Sequence, residues 1–549
     1  MLLLDQSTGR RKATLSAVVS LTGLALTSAV LPANGSAPPR SSATDAVPAQ
    51  SDVLATTLVQ DLAIPSVPVS NEDSGKGPAV VARLARTTTS EYALVGVTWT
   101  AGTWSPGTVV QVATRTGGAW STYEELETEE EPADATGSAG RGGTAPLWVG
   151  DADGVAVRVV SSNGEAPDDL QVSTVEPGQT TAKTALTGGA GARIRGPVRF
   201  PSMPNIVTRR EWGADPDLGD ACWEPIYGRS ARAVVVHHTV NSNDYSRTDA
   251  PAVVRSILAY HTQSQGWCDI GYNFLVDRFG RIYEGRRGGI RLPVRGAHAG
   301  DYNTDTVGIS MIGDYDKVPP TRRLKNAMVR LIGWRLGTSY TPIYGRTRIN
   351  DRRLPHIMPH GNVMSTACPG RYGYALLAEL RQRVRSYLSA YDSPIKERAA
   401  EIGRRTTGRI FVGEEWTKNG FVTTFEQGQM LAKPGLGAHW LSGRILGAYR
   451  HFGGRRALGF PKTDALPMGS TGVTRMIFEH GRFYKTGAKR PRLLVGRILL
   501  RWIKLGGVGG ALGAPLTSVI STPEQDRARF EHGRITLNKV NDTIVVDRA

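Results

Sequence analysis

A repeated motif near the C-terminus constrains the fold of this 549-residue chain more than any other feature. Phe-Glu-x-Gly begins at Phe425, Phe478 and Phe530, at spacings of 53 and 52 residues. Two further elements keep the same register: Gly443-Arg444-Ile445 recurs as Gly496-Arg497-Ile498, and Leu458-Gly459-Phe460-Pro461 recurs as Leu512-Gly513-Ala514-Pro515. Repeated units of this size usually stack because one unit alone cannot bury its apolar face. Residues 408–549 are therefore predicted to form a repeat module.

The formal net charge of +17 is distributed unevenly along the chain. Residues 38–190 carry 19 acidic and 8 basic side chains, so the positive excess lies in residues 191–549. A strongly basic region indicates an anionic partner. Neither a helix-turn-helix pattern nor a zinc-finger spacing accompanies the charge, so nucleic acid is not the expected partner. An anionic cell-wall polymer is predicted instead.

The N-terminus has the pattern of an export signal. Arg10, Arg11 and Lys12 precede an uncharged stretch over residues 13–31, and small residues follow as far as Ala37. This order predicts a signal peptide over residues 1–37 and a secreted or cell-wall location. Serine and threonine dilute the apolar stretch, which favours a cleaved signal over a permanent membrane span. Twin-arginine export is an open alternative route.

Two linkers and a β-rich domain are predicted before the centre of the chain. Residues 38–53 and 178–203 are rich in small residues with little to bury, which is typical of linkers. Residues 54–177 contain short β-branched runs separated by turn residues, which predicts a small antiparallel β-sandwich. An acidic run from Glu124 to Glu131 is interpreted as a solvated loop, and a calcium site is the less favoured alternative.

Residues 204–392 have a mixed α/β pattern. A buried strand at 233–236 runs into His237-His238-Thr239, and apolar residues recur at helical spacing over 251–263. Further strands are predicted at 273–276 and 306–312, with helices at 321–337 and 374–388. These elements predict a central domain with a mixed sheet and flanking helices.

Histidine and cysteine side chains in this domain offer a set of zinc ligands. Catalytic zinc needs three protein ligands and one open position. The candidates are His237 or His238, then His356, His360 and Cys368. Neighbouring side chains on a strand point in opposite directions, so only one of the first two enters a given site. Packing in the core is the competing interpretation, which residue types alone favour.

Motifs in residues 204–390 resemble those of the peptidoglycan recognition protein and zinc amidase family. They occur in family order: Arg210-Glu211-Trp212-Gly213, His237-His238-Thr239, Gly266-Trp267-Cys268 continuing to Phe274, Gly280-Arg281-Ile282-Tyr283, Gly296-Ala297-His298-Ala299, and His360 continuing to Gly370. The resemblance implies that His237, His360 and Cys368 bind Zn²⁺, with the family interval of eight residues between the last two. It leaves His356 as a bystander and His238 on the opposite side of the strand.

The resemblance also implies roles for residues beside the metal. Tyr272 matches the family's catalytic tyrosine, and Thr366 is a second polar contact. His298 matches a position that lines the substrate groove, with a structural histidine as the alternative. Trp267 is a substrate platform or, more commonly for tryptophan, a core residue. Many relatives have Arg-Asp after the second histidine, where this chain has Gly361-Asn362. The missing carboxylate is expected to affect the rate of hydrolysis more than metal binding.

The implied chemistry is metal-assisted hydrolysis of an amide. Two neutral imidazoles and one thiolate leave a zinc site with a net charge of +1, which activates water and polarises a carbonyl. The resemblance supplies the identity of the bond, which joins the lactyl group of muramic acid to L-alanine. The general base is not identified by the sequence.

Two cysteines remain once Cys368 is assigned to zinc. Cys222 and Cys268 lie 46 positions apart, and in an oxidising exterior they are predicted to form a disulfide. Free buried thiols are the alternative.

The C-terminal units resemble LGFP repeats, which implies attachment to the cell envelope. Together these features predict a secreted zinc-dependent N-acetylmuramoyl-L-alanine amidase held on peptidoglycan by its repeats. A non-catalytic peptidoglycan-binding protein on the same fold is the alternative. The presence of Cys368 favours the enzyme, because non-enzymatic relatives commonly lose that residue.

Overall fold

The computed structural model describes residues 56–68, 78–129, 140–178, 200–218 and 224–548. The signal peptide predicted at 1–37 and the linker at 38–53 lie outside these ranges, as does most of the linker predicted at 178–203. Among the helices in the described ranges, none has the length and apolar character needed to cross a bilayer.

The first folded region is an antiparallel β structure of nine strands. They are β1 (Leu58–Ala63), β2 (Ala79–Thr100), β3 (Val109–Thr116), β4 (Ala119–Trp120), β5 (Glu124–Leu126), β6 (Thr128–Glu129), β7 (Arg141–Thr144), β8 (Leu147–Ser161) and β9 (Gln171–Glu176). The main path runs β1-β9-β2-β8-β3-β4, with β5 beside β3, β7 beside β2, and β6 beside β7. Alternate apolar residues of the long strands fill its core, so the predicted β-rich fold is confirmed.

The central region is built on a mixed six-stranded sheet. Its elements are β10 (Ile206–Val207), α1 (Arg209–Trp212), β11 (Ala233–His238), α2 (Ala250–Ala259), β12 (Phe274–Val276), β13 (Ile282–Glu284), β14 (Thr306–Met311), α3 (Arg322–Thr338), β15 (Arg346–Ile349), β16 (Arg352–Pro355), β17 (Ile357–Pro359) and α4 (Gly370–Leu388). The sheet order is β10-β13-β12-β14-β11-β17, and β15 and β16 form a separate hairpin. The mixed α/β architecture predicted for this region is confirmed.

Strand β11 lies between β14 and β17 and is parallel to both. Its six residues are all buried, which explains their apolar character up to the two histidines. Val234 and Val236 pack in the core formed with α3 and α4. Val235 packs on the other face with Met358. Because side chains alternate along a strand, His237 shares the face of Val235, whereas His238 points to the side of α3 and α4.

The β-rich region and the central region share one hydrophobic core. Residues of β2, β8 and β9 pack with the buried face of α2 and with Tyr260 in a single cluster. The Tyr260 hydroxyl donates to the carbonyl oxygens of Val97 and Thr144 at 3.2 and 3.0 Å. The buried Arg255 guanidinium donates to the carbonyl oxygens of Pro177 and Gly178 at 3.0 Å each. An interface with this much apolar contact holds the two regions in one arrangement.

The C-terminal region contains three successive four-stranded antiparallel sheets. Its elements are α5 (Pro394–Ile402), α6 (Arg404–Thr407), β18 (Ile410–Thr417), β19 (Gly420–Phe425), β20 (Gly428–Lys433), β21 (Gly437–Ser442), α7 (Gly443–His451), α8 (Gly454–Leu458), β22 (Leu466–Pro467), β23 (Val473–Phe478), β24 (Gly481–Thr486), β25 (Arg492–Leu494), α9 (Gly496–Lys504), β26 (Ile520–Ser521), β27 (Gln525–Phe530), β28 (Gly533–Asn538) and β29 (Thr543–Arg548). Strands pair in sequence order within each sheet, as a repeat predicts.

The repeated Phe-Glu-x-Gly motif forms the turn between the second and third strands of each sheet. Its phenylalanine is buried in every copy. Its glutamate reaches back to a backbone N–H: Glu426 accepts from Arg409, Glu479 from Phe460, and Glu531 from Ala514, at 2.7–2.8 Å. A charge-assisted hydrogen bond to an otherwise unpaired N–H explains why glutamate recurs at this position.

Candidate metal centre

Parallel strands bring two of the predicted ligands to one edge of the sheet. Val234, Val235 and Val236 of β11 lie opposite Ile357, Met358 and Pro359 of β17. One step further along this register places His237 opposite His360. Ligand sites of α/β sheets lie at this carboxyl edge, where the strands end and the chain is free to turn.

A short loop returns Cys368 to the same edge. The chain turns after β17 in a single 3₁₀ turn, His360–Asn362, and the Gly361 N–H donates to the Cys368 carbonyl oxygen at 3.2 Å. The Cys368 N–H donates to the Thr366 hydroxyl oxygen at 3.0 Å, and α4 begins at Gly370. The backbone N–H of His238 donates to Cys368 Sγ at 3.4 Å. A donor aimed at the sulfur stabilises the thiolate form that binds metals.

The three predicted ligands form one buried cluster. One candidate ligand atom from each of His237, His360 and Cys368 lies within 4.8 Å of the other two. Ligands on one zinc ion are roughly 3.3–3.8 Å apart, so adjustments of about 1 Å bring these atoms into coordination. Two imidazoles and one thiolate are the nitrogen and sulfur donors that zinc prefers. The residues present therefore fit a zinc ion.

His237 is held in the neutral form that a metal ligand requires. Burial lowers the pKa of His237 well below its ordinary value, and the neighbouring His360, His298 and His238 lower it further. Its Nδ1 faces Cys368 Sγ at 3.8 Å, and its Nε2 lies 3.1 Å from His298 Nδ1. The buried His298 thus contacts the metal cluster through His237. Burial also lowers the pKa of His298, to about 3.

His238 faces away from the cluster, as the alternation of the strand requires. Its Nδ1 accepts from the Tyr315 N–H at 3.2 Å and lies 3.9 Å from an Asp314 carboxylate oxygen. His356 is buried one strand earlier in the chain and is not part of the ligand cluster. Among the candidates that residue types left open, the structure brings His237, His360 and Cys368 together and leaves His238 and His356 out of this cluster.

Tyr272 packs with residues of α2, and both Tyr272 and Trp267 contact the His261 ring. The Tyr272 ring is buried, with its centroid 5.2 Å from that of His237. Trp267 packs against His261 at 4.5 Å between centroids and is only 4% exposed. Most of the Trp267 surface therefore packs in the core. Its role as a substrate platform stays a prediction. Cys268 is also buried, but Cys222 lies outside the described residues, so their disulfide stays a prediction.

Glu127 approaches the metal cluster and was missed by the sequence analysis. Its carboxylate accepts a hydrogen bond from the Thr366 hydroxyl at 2.9 Å and lies 3.4 Å from His238 Nε2. Burial tends to raise the pKa of Glu127, but the contacts with His238 and Thr366 outweigh burial and lower it. The interpretation of residues 124–131 as a solvated loop was wrong for its described part, because Glu124–Leu126 and Thr128–Glu129 form β5 and β6 and the Glu127 side chain between them is 25% exposed. Only the density of acidic residues marked this segment in the sequence.

The described residues form an α/β domain with a buried His-His-Cys cluster, and this part of the chain is similar to known proteins. Residues 227–371 match the family described as N-acetylmuramoyl-L-alanine amidase. Peptidoglycan-recognition protein SC1a/b of Drosophila simulans is 33% identical over 172 residues, which cover 30% of this chain and 80% of that protein. Peptidoglycan recognition protein 1 of Bos taurus is 32% identical over 177 residues, which cover 32% of this chain and 83% of that protein. The chain belongs to the peptidoglycan recognition protein and amidase family.

The flanking regions also match known families. Residues 42–184 match a family described as Rv3811 N-terminal galactose-binding domain-like, and residues 412–456 match the LGFP repeat. Among solved structures, wild-type Drosophila PGRP-LB is 30% identical and covers 31% of this chain and 91% of its own length, with a TM-score of 0.26. The predicted resemblance to amidases with C-terminal LGFP repeats is confirmed.

Proposed function

We propose that this chain is a secreted, zinc-dependent N-acetylmuramoyl-L-alanine amidase. Its substrate is the amide that joins the lactyl group of muramic acid to L-alanine in peptidoglycan. The observation that carries the proposal is the buried cluster of His237, His360 and Cys368. A family domain that served only to bind sugar and peptide would not need three metal-binding side chains in one place.

The proposed zinc ligands are His237, His360 and Cys368. When bound, zinc supplies Lewis-acid activation of water and of the scissile carbonyl. The chain's part is to keep the His237 imidazole neutral and the Cys368 sulfur ionised. Burial maintains the first condition at His237, and the His238 N–H favours the second at Cys368.

Tyr272 is the proposed oxyanion stabiliser. Hydrolysis forms a bond between the water oxygen and the lactyl carbonyl carbon and breaks the bond from that carbon to the alanine nitrogen. One water proton finally resides on the released amine. Negative charge develops on the carbonyl oxygen in between, and a phenolic O–H aimed at it lowers the barrier. The position of the Tyr272 ring beside His237 supports this role.

Substrate contacts are proposed at His298 and Trp267, and a second polar contact at Thr366. His298 touches His237, so it also fixes the orientation of that ligand, as partners of metal-bound histidines commonly do. The Cys222–Cys268 disulfide belongs to the same proposal, since an exported protein meets an oxidising environment.

The C-terminal repeats are proposed to hold the enzyme on the envelope. Residues 408–549 form the repeat module in this proposal, residues 204–392 the amidase domain and residues 54–177 the β-rich domain. The basic charge of the chain lies outside the β-rich domain, which supports an anionic wall polymer as the partner of the repeats. Tethering raises the local concentration of the catalytic site on its substrate. Binding to sacculi is expected to weaken with added salt and after removal of anionic polymers.

A non-catalytic peptidoglycan-binding protein is the second candidate. It is favoured by the names of the curated relatives, which are recognition proteins. The zinc-loaded full chain should be incubated with purified sacculi, and new alanine N-termini and muramoyl carboxyl groups should be measured with and without a chelator. The amidase is supported if alanine N-termini are released, if a chelator abolishes this release, and if added zinc restores it. Binding without release under both conditions would leave only the recognition function.

A further inference from the structure

Glu127 lies in a segment of the β-rich region that is firmly held against the central region. Leu126, just before it, is buried in the core of the β structure. The Glu127 carbonyl oxygen accepts from the Ala145 N–H at 2.7 Å. Nearby, Glu124 forms an ion pair with Lys317, which also contacts Asp314 at 3.3 Å. Glu127 is therefore presented by an anchored backbone rather than by a free loop.

The Glu127 carboxylate completes a closed ring of polar contacts around Cys368. The Cys368 N–H donates to Thr366 Oγ1 at 3.0 Å, and the Thr366 hydroxyl donates to Glu127 Oε1 at 2.9 Å. Glu127 Oε2 lies 3.4 Å from His238 Nε2, and the backbone N–H of His238 donates to Cys368 Sγ at 3.4 Å. This chain of contacts thus connects the backbone N–H of Cys368, through Thr366, Glu127 and His238, to the Cys368 sulfur.

The orientation of His238 makes its contact with the carboxylate attractive. Because His238 Nδ1 accepts from the Tyr315 N–H, the neutral ring carries its hydrogen on Nε2. Nε2 lies 3.4 Å from Glu127 Oε2 without forming a hydrogen bond, so this contact is electrostatic. The carboxylate therefore has a hydroxyl donor on one oxygen and the Nε2 edge of an imidazole near the other.

We propose that Glu127, supplied by the N-terminal β-rich region, is a positioning residue of the His237–His360–Cys368 centre and that the centre is incomplete without this region. The proposal rests on the metal centre described under the proposed function. Glu127 acts through Thr366 and His238, which fix the backbone and the sulfur of Cys368.

Two physical effects give Glu127 influence over the metal. Groups that orient metal ligands typically change metal affinity by 10–100-fold when they are removed. A carboxylate near the site also adds negative charge that attracts a divalent cation in a partly desolvated environment. Both effects predict weaker zinc binding without Glu127.

The test measures zinc affinity in the full chain by competition with a chromophoric chelator. Glu127→Ala removes both contacts, whereas the nearly isosteric Glu127→Gln keeps an oxygen for Thr366 and removes the charge. Glu125→Ala is the matched control, because Glu125 is an exposed neighbour on β5. Glu124→Ala is a second control that removes the Lys317 ion pair across the same interface. Thermal unfolding of each variant reports whether the fold is retained.

Glu127→Ala is expected to weaken zinc binding about tenfold relative to Glu125→Ala, with a smaller loss in Glu127→Gln. With cobalt in place of zinc, the thiolate-to-metal charge-transfer band should shift in Glu127→Ala and remain unchanged in both controls. An affinity loss of less than about fivefold relative to Glu125→Ala, or an equal loss in Glu124→Ala, overturns the proposal. If Glu127→Ala does not fold, the zinc affinity of Glu127→Gln is compared with that of Glu125→Ala instead. Equal zinc affinities of these two variants then overturn the proposal. A wild-type chain that binds zinc but releases no alanine termini would refute the amidase and leave the affinity comparison decisive for Glu127.

Discussion

The Thr366 hydroxyl donates a hydrogen bond to the Glu127 carboxylate across a separation of 239 positions in the sequence. Thr366 lies two residues before the proposed sulfur ligand, and Glu127 lies in the β-rich region. The bond therefore connects the candidate metal centre directly to a region outside the matched amidase segment. Together with the shared core around Tyr260, it makes the described β-rich region relevant to the chemistry of the candidate centre.

Removing one imidazole ligand should abolish tight zinc binding. His360→Ala leaves one histidine and one cysteine, which are too few protein ligands for a stable tetrahedral site. We expect the zinc content to fall from about one ion per chain to near zero after dialysis, as measured by elemental analysis. His451→Ala is the control, because His451 is exposed at the end of α7. Retention of zinc in His360→Ala at the level of His451→Ala would disprove the ligand assignment.

Tyr272→Phe should slow hydrolysis while zinc stays bound. The substitution keeps the buried ring and removes only the hydroxyl, so we expect kcat to fall about 100-fold with little change in zinc content. Turnover of a defined muropeptide measures the first quantity. Tyr344→Phe, which alters a half-exposed tyrosine elsewhere in the domain, should leave turnover unchanged. Loss of zinc from Tyr272→Phe would show that the residue has a structural role.

Adding one methyl group at Gly96 should destabilise the contact between the β-rich and central regions. A Cβ at this position would lie 2.4 Å from the Tyr260 ring, which is fully buried. Overpacking of this kind costs about 1–3 kcal/mol. We expect Gly96→Ala to lower the free energy of unfolding by that amount in chemical denaturation.

Gly447→Ala is the matched control for Gly96→Ala. An added Cβ at Gly447 meets nothing within 4 Å, and the residue lies inside α7. Alanine favours helix over glycine, so stability should be unchanged or rise by up to about 1 kcal/mol. Equal effects of the two substitutions would contradict the close approach at Tyr260.

Acid should weaken the repeat module through Asp464. Burial tends to raise the pKa of this carboxyl, but the nearby His439 Nδ1 at 3.5 Å and the hydrogen bonds from the Trp440 N–H and the Arg398 guanidinium outweigh burial and lower it to about 2. A carboxyl with a lowered folded-state pKa contributes stability above its unfolded pKa and loses it as the pH falls. The contribution of Asp464 should therefore disappear between about pH 4 and pH 2 and amount to at most about 2 kcal/mol.

Thermal unfolding across this pH range checks the effect. Asp464→Asn should be less stable than wild type at pH 5 and nearly as stable at pH 2. Asp217→Asn, at an exposed position, should follow the wild-type curve throughout. A constant difference between Asp464→Asn and wild type over the whole range would rule out titration of Asp464 as the cause.

Local sequence patterns predicted much of the architecture. The strand before His237 was visible as a run of β-branched residues, because both faces of β11 are buried. The helix predicted at 321–337 corresponds to α3 at Arg322–Thr338, where Thr321 caps the first turn. The repeat was visible because each copy needs the same buried phenylalanine and the same glutamate bond to the backbone.

Selection among the candidate ligands depended on how strands align in space. Residue types offered four histidines and one cysteine, and family resemblance narrowed them to His237, His360 and Cys368. The register between β11 and β17 accounts physically for the pairing of His237 with His360, and the loop after β17 returns Cys368 to them. Such a register arises from packing on both faces of a sheet, which no single segment encodes.

The sequence by itself determined the strand, helix and repeat elements and the types of side chain available for chemistry. These follow from local periodicity and from residues that must be buried or must bond to nearby backbone. Only the tertiary structure decided that Glu127 meets Thr366, because that contact depends on docking two regions through a shared apolar core. Nothing local distinguishes Glu127 from its acidic neighbours. Its position near the candidate metal centre results from the docking of the β-rich region on the central region.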